Sequence, residues 1–561
     1  MTALAAHAPL ARPTPQRQQA LALTYHRLML MMLVFAGVTM LIVGRLVHLQ
    51  LFTDRATAIA GNPLLPARAD IVDRNGVPLA RTIDAWSIAV HPRKLLGDPN
   101  ELAAKLHALM PERSVAEYKA ILTSDKNFVY LNRRAVPELV AAANALGEPA
   151  IVFDREPERL YPQTAMAGHI LGWTDFDGRG VTGMEKVLDK RLSDPELRGT
   201  PVALSIDTRV QAAMESALAA AVVKHSALGA TGIVLDVRTG ELIAMASLPT
   251  FNPNAAGKSD ANALFNRATM GVYELGSTFK PITVAAAMEA GVVTSLAQTY
   301  QSGAPLAIGR FRIKDDHPIP GRANIVQTLV KSSNIVSAQI ADQMGAERMQ
   351  AAFRALGFNE PAHIELDQKG KTLWPHNWGR ATVLTSAYGH GVAITPLHLA
   401  SAYAALVNGG IWRPATLTRL KNAPQGRRVY SEATSFRMRQ LLRMIVKEGT
   451  GRKGEAPGFR VGGKTGTAEK SQAGGYSKKV NISTFAAAFP MDDPRYVVIA
   501  MLDAPKGTSD TFGFTTAAWT AAPVVSRVIS RAGPLLGVIP DDSREIELSE
   551  LMPLVGKPQG H

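Results

Sequence analysis

Three short motifs in this chain combine the residue types that serine acyl transfer requires. They are Ser277-Thr278-Phe279-Lys280, Ser332-Ser333-Asn334 and Lys464-Thr465-Gly466-Thr467, in that order along the chain. A serine hydroxyl is a weak nucleophile until a base lies within hydrogen-bonding reach, and a lysine three residues later on a helix provides one. That lysine accepts a proton only when it is neutral, and both burial and a second nearby cation would lower its pKa.

Each motif alone is weak evidence. A serine at a helix N-cap, followed by a lysine that extends to solvent, would explain Ser277 and Lys280 without any catalysis. The order Ser-x-x-Lys, Ser-x-Asn, Lys-Thr-Gly is, however, the order that serine penicilloyl enzymes use. In addition, an apolar helical run follows Ser277, and Gly462-Gly463 on a predicted strand would let a ligand approach the backbone before Lys464. Together the motifs predict Ser277 as a nucleophile.

The elements that must position these motifs form an α+β pattern. Asp207 precedes an apolar helical pattern, as an N-cap residue would. Strands at both ends of this region with helices between them predict one antiparallel sheet packed against a helical region. The predicted elements are a hairpin over 231–236 and 242–246, a mostly helical stretch over 277–450, a second hairpin over 481–489 and 495–502, and a last helix over 515–531.

An apolar segment near the start of the chain predicts a membrane anchor. No charged residue occurs from Leu28 to Gly44, and the apolar character resumes after Arg45, so the length suffices for a spanning helix. The basic residues before it and the absence of acidic residues predict a cytoplasmic N-terminus and an external remainder. A cleaved signal peptide is the alternative, but residues 45–48 do not form a small-x-small cleavage site.

At 561 residues the chain is long enough for two or three folded units. The Asn75-Gly76 pair predicts a hairpin early in the first of them. The predicted organisation is a cytoplasmic tail over 1–26, a transmembrane anchor over 27–50, a non-catalytic pedestal over 60–200, a catalytic domain over 205–545 and a polar tail over 546–561.

Composition limits the chemistry and the partners. The chain has no cysteine, which excludes thiolate catalysis and cysteine-ligated metal. Its net charge is +14, but lysine and arginine are scattered, so we predict no nucleic-acid partner. Asp315-Asp316-His317 could suggest a metal site, but adjacent residues on an extended loop cannot all face one ion. We interpret it as a polar loop and predict no metal and no cofactor.

Four further segments resemble the class B penicillin-binding proteins. Residues 68–80 look like the first box of that family's pedestal, and 168–174 leading into 183–186 look like a later box. Residues 273–281 resemble the active-serine box. The intervening 175–180 favour the division (FtsI-type) branch over the elongation branch. The likeness covers nearly everything after the anchor.

The resemblance implies a D,D-transpeptidase that cross-links peptidoglycan outside the cytoplasmic membrane. Ser277 would attack the carbonyl between two terminal D-alanines, and the backbone N–H groups of Ser277 and Thr467 would stabilise the oxyanion. The roles implied for the remaining residues are proton acceptance by Lys280, proton relay by Ser332, positioning of Lys280 and the substrate amide by Asn334, a fixed positive charge from Lys464, and binding of the terminal carboxylate by Thr465, Gly466 and Thr467.

The implied partners are D-Ala-D-Ala stem peptides, β-lactams, an FtsW-type glycosyltransferase and other division proteins, at the septum of the inner membrane. The alternatives with the same chemistry are a β-lactamase, a D,D-carboxypeptidase, a β-lactam sensor and an elongation-type transpeptidase. A scaffold of the division complex is the alternative from another class. A class A β-lactamase is disfavoured because no convincing Glu-x-x-x-Asn occurs between Asn334 and Lys464.

Overall fold

The structure is a computed structural model, and it describes residues 15–52, 67–472 and 475–556. The chain divides into two compact units, residues 1–65 and 66–561. In the first unit, helix α1 spans Pro15–Phe52, and its segment Tyr25–Gly44 has a mean hydropathy of 2.1. This segment is long and apolar enough to cross a membrane. The helix starts inside the predicted tail because residues 16–27 are mostly good helix formers.

The second unit opens with the predicted pedestal, built on a five-stranded sheet. Its central strand β2 pairs with β1, β3 and β4, all antiparallel, and β1 also pairs in parallel with β5. The strands are β1 (Ile71–Val72), β2 (Pro78–Val90), β3 (Val129–Ala135), β4 (Ile151–Leu160) and β5 (Val202–Ala203). The helices are α2 (Pro99–Leu109), α3 (Val115–Leu122), α4 (Pro137–Asn144), α5 (Gly168–Leu171), α6 (Gly183–Val187) and α7 (Asp189–Ser193).

The hairpin predicted at Asn75-Gly76 is confirmed. The Asp73 carboxylate accepts hydrogen bonds from the backbone N–H groups of Asn75 (2.7 Å) and Val77 (2.9 Å). Gly76 adopts a φ of 88°, which a glycine reaches without steric cost. Asp73 also accepts from the backbone N–H of Thr208 at 3.1 Å. The turn therefore joins the pedestal to the helix that opens the next region.

That region contains a second five-stranded sheet, wholly antiparallel, in the order β14-β15-β16-β6-β7. Its strands are β6 (Gly229–Asp236), β7 (Leu242–Leu248), β14 (Gly462–Gln472), β15 (Gly475–Phe489) and β16 (Tyr496–Asp503). Both predicted hairpins are confirmed. Side chains alternate between two cores, since Ile233 and Leu235 face one and Val234 faces the other.

Helices cover both faces of this sheet. They are α8 (Thr208–His225), α9 (Ala261–Leu264), α10 (Lys280–Glu289), α11 (Ile325–Val330), α12 (Asn334–Ala355), α13 (Arg380–Ser386), α14 (Pro396–Val407), α15 (Glu432–Glu448), α16 (Ala521–Leu535) and α17 (Met552–Val555). Short strands lie among them, namely β8 (Thr299–Gln301), β9 (Leu306–Ile308), β10 (Phe311–Ile313), β11 (Arg322–Asn324), β12 (Ile411–Trp412) and β13 (Arg427–Arg428). Helices α8 and α16 pack on one face and α14 on the other. The predicted α+β fold with a central antiparallel sheet is confirmed.

Two predictions near the end of the chain are wrong in part. The last long helix begins at Ala521, not at 515, because the residues before it form a loop against β14 and β15. The segment predicted as a polar tail from 546 is docked through residue 555. Ile546, Leu548 and Leu551 are buried, and the Asn324 side chain donates to the Leu554 carbonyl at 2.8 Å. Polar residues between these apolar residues favour an exposed tail, but contacts with distant parts of the chain hold the segment in place.

Candidate active site

Ser277 lies on a tight turn held from both sides. A 3-10 turn, Gly276–Phe279, leads directly into α10, and Ser277 is partly exposed at its start. The Thr278 hydroxyl donates to the Leu275 carbonyl at 2.9 Å, and the Thr278 carbonyl accepts from the buried Tyr403 hydroxyl at 2.9 Å. These contacts fix the turn while the serine stays accessible to solvent.

Glycine is required immediately before the serine. Gly276 has a φ of 55°, in the left-handed region, and a Cβ there would lie 2.9 Å from the Thr467 carbonyl oxygen. Gly466 on β14 is equally constrained, because its Cβ would lie 2.3 Å from the Leu275 carbonyl oxygen. The Lys-Thr-Gly strand and the serine turn are thus in backbone contact, as the two motifs require.

Lys280 is completely buried at the first position of α10. Its Nζ donates to the carbonyl oxygen of Ser332 and, at 3.0 Å, to the Ser332 hydroxyl. Burial lowers the pKa of Lys280 to about 7, although the negative charges of Asp315 and Asp316 oppose this shift. A base with a pKa near neutrality has a large neutral fraction and remains basic enough to accept a proton.

The Ser-x-Asn motif lies at the start of α12. Ser332 has a φ of 61°, a left-handed conformation that is uncommon for residues other than glycine and often marks functional sites. Ser333 caps the helix by accepting from the Val336 N–H at 3.1 Å. The Asn334 side chain donates to the Lys314 carbonyl at 2.9 Å. Lys280 Nζ therefore donates to Ser332, while the Asn334 side chain holds the motif to the preceding loop.

Asp315 holds this motif in place, although no sequence motif assigns it to the site. One carboxylate oxygen accepts from the backbone N–H groups of Asn334 (2.5 Å) and Ile335 (3.0 Å), and the other from the Ser333 hydroxyl (2.6 Å). A carboxylate is favourable at a helix N-terminus, where backbone N–H groups lack helical partners. The sequence predicts a polar loop at 315–317, and no local pattern indicates that Asp315 bonds to a motif 18 to 20 residues further along the chain.

The third motif contributes a second buried lysine. Lys464 on β14 is fully buried, and its Nζ donates to the Thr465 carbonyl at 3.0 Å. The Thr465 hydroxyl lies 2.9 Å from that of Thr450. Burial, followed by the charge on Lys280, lowers the pKa of Lys464 well below its ordinary range. The permanent charge that the resemblance implies at Lys464 therefore needs a neighbouring anion to stabilise it.

Thr467 borders the serine turn from the strand side. It is partly exposed, and its hydroxyl accepts a hydrogen bond from the Ala517 N–H at 3.1 Å. Its carbonyl lies against Gly276, as described above. The predicted residues of all three motifs are thus joined by a continuous set of contacts from β14 through the serine turn to α12.

A carboxylate outside the predicted set secures the other side of the serine turn. Glu274 accepts from the Gly391 N–H at 2.7 Å and lies 3.1 Å from His390 Nδ1. A Cβ on Gly389 would lie 2.3 Å from the Gly276 carbonyl oxygen. The loop 389–391 therefore packs directly against the turn that carries Ser277. Its sequence has no motif that would have identified it.

Comparisons with known proteins agree with this geometry. Residues 230–526 match the family described as "Penicillin binding protein transpeptidase domain", and residues 63–196 match "Penicillin-binding Protein dimerisation domain". The chain is 40% identical to a probable peptidoglycan D,D-transpeptidase FtsI of Caulobacter vibrioides, over 84% of this chain and 82% of that protein. It is 28% identical to FtsI of Escherichia coli K12, over 78% of this chain and 79% of that protein.

A solved structure shows the same architecture. The crystal structure of penicillin-binding protein 3 from Mycobacterium tuberculosis in complex with aztreonam superposes with a TM-score of 0.67 at 25% identity. The match covers 84% of this chain and 97% of that one. The three motifs occur in order, the serine turn contacts the Lys-Thr-Gly strand, and the relatives match along most of their length. The chain therefore belongs to the class B penicillin-binding proteins of the FtsI type.

Proposed function

We propose that this chain is a serine D,D-transpeptidase that cross-links peptidoglycan stem peptides through an acyl-enzyme on Ser277. The observation that carries the proposal is Lys280, a buried lysine with a pKa near 7 that lies one turn after an accessible serine. Its Nζ also contacts the Ser332 hydroxyl. The Lys280 amine is therefore bonded to a hydroxyl that can relay protons, and it lies one helical turn from a serine that can act as the nucleophile.

In the first half-reaction, Ser277 Oγ attacks the carbonyl carbon between the two terminal D-alanines and its proton passes to Lys280. The C–N bond of the tetrahedral intermediate breaks, and the leaving D-alanine amine takes a proton delivered from Lys280 through Ser332. In the second, the amine of a neighbouring stem peptide attacks the ester and loses a proton along the same route. Ser277 leaves with a proton, so the enzyme returns to its initial state.

The strand β14 binds and orients the donor. The terminal carboxylate of the stem peptide lies beside Thr465, Gly466 and Thr467, where its negative charge stabilises the protonated form of Lys464. The positive charge of Lys464 in turn disfavours a proton on Lys280, so binding of the donor favours the neutral form of Lys280. The backbone N–H groups of Ser277 and Thr467 form the oxyanion hole, and removal of one such donor costs about 3–4 kcal/mol.

The site assignment is tested by acylation of the full-length protein in detergent with a fluorescent penicillin. We expect labelling of the wild type and of Ser530→Ala, a serine exposed on α16, and none of Ser277→Ala. Labelling that persists in Ser277→Ala would refute the assignment. A folded wild type that is never labelled would instead favour a scaffold.

A second assay separates transfer from hydrolysis. The protein is incubated with a D-Ala-D-Ala donor peptide and an amine acceptor, and the products are identified by mass spectrometry. A cross-linked dimer supports the transpeptidase, whereas donor lacking one D-alanine as the sole product would indicate a D,D-carboxypeptidase. Rapid release of hydrolysed penicillin would indicate a β-lactamase.

We further propose a septal role on the outer side of the inner membrane, with an FtsW-type glycosyltransferase and other division proteins as partners. The proposed organisation is a cytoplasmic tail, an anchor over 27–50, a pedestal over 60–200 and a catalytic domain that begins near 205. The apolar segment Tyr25–Gly44 and the FtsI-type relatives support it. Filamentation of cells on depletion is the expected result, and rounding would show an elongation role.

A further inference from the structure

A short hairpin of strands β9 and β10 carries an excess of positive charge beside the Ser-x-Asn motif. The two strands pair antiparallel, and β10 leads directly into Lys314 and Asp315. Between Glu289 and Asp342 the sequence has only two acidic residues, Asp315 and Asp316. The same stretch has five basic residues, namely Arg310, Arg312, Lys314, Arg322 and Lys331. The β9–β10 hairpin is therefore a basic surface.

Two of these cations are exposed and available to a ligand. Neither the Arg312 nor the Lys314 side chain forms an ion pair or a hydrogen bond with any residue that the structure describes. Successive side chains of a strand point to opposite faces, so both lie on the face away from the buried Ile313. The cross-strand partner of Arg312 is Ala307, so no long side chain stands opposite the guanidinium group.

The two acidic residues do not pair with these cations. Both carboxylate oxygens of Asp315 accept hydrogen bonds from the start of α12, as described above. Asp316 is exposed, and among the described residues it forms no ion pair with either Arg312 or Lys314. Exposed cations without a counter-charge attract anions, and the attraction weakens as the salt concentration rises. The charge of the hairpin therefore matches an anionic ligand.

The place of the hairpin in the fold indicates which anion it meets. The Lys314 carbonyl accepts from the Asn334 side chain at 2.9 Å, and the Ser332 hydroxyl accepts from Lys280 Nζ at 3.0 Å. In the proposed second half-reaction the attacking amine loses its proton through Ser332, so the amine must come within hydrogen-bonding reach of that hydroxyl. The donor lies along β14, whereas the hairpin is attached to α12. The acceptor is therefore the substrate that lies beside the hairpin.

We propose that Arg312 and Lys314 bind carboxylates of the acceptor stem peptide and so orient its amine towards the acyl-enzyme. This inference rests on the proposed function, because only a transpeptidase uses a peptide acceptor. The planar guanidinium of arginine binds a carboxylate through two N–H groups, and the flexible lysine adds a second positive charge. An amine held beside the ester reacts as if it were highly concentrated, whereas water gains nothing from this contact. The hairpin therefore favours transfer over hydrolysis.

The test uses the full-length protein in detergent, a D-Ala-D-Ala donor peptide and increasing concentrations of the acceptor L-Ala-γ-D-Glu-meso-diaminopimelate. Mass spectrometry measures the cross-linked dimer and the hydrolysed donor. Arg312→Gln and Lys314→Gln should each raise the half-saturating acceptor concentration about two- to fivefold, as the loss of an exposed ion pair does, and the double variant about tenfold. The rate of acylation by a fluorescent penicillin should stay at the wild-type value, because acylation needs no acceptor.

Arg527→Gln is the matched control, because it removes one exposed positive charge on α16, away from the hairpin. It should use the acceptor like the wild type. An unchanged half-saturating concentration in the double variant, or an equal rise in Arg527→Gln, would overturn the proposal. Inhibition of transfer by N-acetyl-Glu-Glu-Glu-amide below that concentration would overturn it in favour of an acidic protein segment. A wild type that is acylated by penicillin but never forms a dimer would overturn the transpeptidase itself, which separates the two failures.

Discussion

At the scale of single residues, the site depends on how many protons its two buried lysines hold. Burial lowers the pKa of Lys280 to about 7 and that of Lys464 further, with the charge of Lys280 as an additional cause. Both lysines are fully buried, so two ammonium groups together would be costly. The protonation of the pair should therefore respond to pH and to a bound carboxylate.

The rate of acylation should follow the neutral form of Lys280. Below a pKa of about 7 the lysine is protonated and cannot accept the proton of Ser277, so the rate falls as the pH falls. We expect the second-order rate constant for penicillin acylation to rise about tenfold between pH 6 and pH 8 and then to level off. Stopped-flow fluorescence checks this. A rate that is flat over the same range would contradict Lys280 as the base.

Asp315 and Asp316 allow the electrostatic and positioning effects to be separated. Both raise the pKa of Lys280, but the hydrogen bonds to Ser333, Asn334 and Ile335 come from Asp315. Asp315→Asn should move the pH midpoint of acylation downward and lower its plateau by about tenfold, because a charged acceptor is lost.

Asp316→Asn is the matched control for this prediction. It should move the midpoint in the same direction and leave the plateau unchanged. The pH profile of acylation measures both quantities in one series. If the two variants lower the plateau equally, Asp315 does not position the Ser-x-Asn motif.

At the scale of elements, we expect catalysis to depend on how closely β14 approaches the serine turn. Gly466 and Gly276 permit this approach, and the loop 389–391 packs on the turn from the other side. Each of these contacts joins backbone to backbone, where a neighbour cannot move aside as a flexible side chain would. The serine is therefore positioned by rigid elements, which is the arrangement that efficient catalysis requires.

Gly466→Ala should lower the rate of penicillin acylation. Its Cβ would lie 2.3 Å from the Leu275 carbonyl oxygen, so the strand and the turn must move apart. A displacement of about 1 Å costs on the order of 100-fold in rate, and we expect such a loss in penicillin acylation. Gly379→Ala, whose Cβ would have its nearest neighbour at 3.6 Å, should acylate normally. Near-normal acylation of Gly466→Ala would show that the contact is not needed.

The elements that could be predicted are those with a local signal. The hairpins predicted over 231–246 and 481–502, the Asp207 cap and the Asn75-Gly76 turn all depend on neighbouring residues, and all are present. The three motifs could be assigned together because their order is specific. Asp315, His390 and the segment near Leu554 escaped prediction. Their bonds span 18, 116 and 230 residues, and no local pattern specifies such pairs.

At the scale of the whole molecule, the Asp73 carboxylate links the pedestal to the catalytic region. It is fully buried and accepts from the backbone N–H (3.1 Å) and the hydroxyl (2.9 Å) of Thr208. Burial alone would raise its pKa, but hydrogen bonds from Thr208, Val77 and Asn75 outweigh it, so the pKa is lowered. A carboxyl whose pKa is lower in the folded state stabilises the fold at neutral pH and loses this contribution as the pH falls through its folded pKa.

Asp73→Asn should therefore weaken the junction in a pH-dependent way. At pH 7 we expect the urea midpoint of the variant to lie below that of the wild type, because the charged acceptor is lost. The difference should begin to shrink as the pH falls below about 4, where the carboxyl of the unfolded chain takes up a proton, and should be lost below the lower folded-state pKa. Intrinsic tryptophan fluorescence follows the transition. A difference that stays constant from pH 7 to pH 3 would contradict this account.

The order of the central sheet has a consequence for how the protein is made. Strands β6 and β7 leave the ribosome before the helical region, yet Gly229 on β6 pairs with Asp503 on β16. Roughly 250 residues separate β7 from β16, the strand that pairs with β6, so at about 5–20 residues per second the first hairpin waits on the order of 10–50 s for its neighbour. Every residue of β6 is buried in the finished fold, and until then its free edge can pair with other chains. The nascent chain should therefore need a protective chaperone until residue 503 has emerged, and chains stalled before Gly462 should be cleaved readily within 229–248.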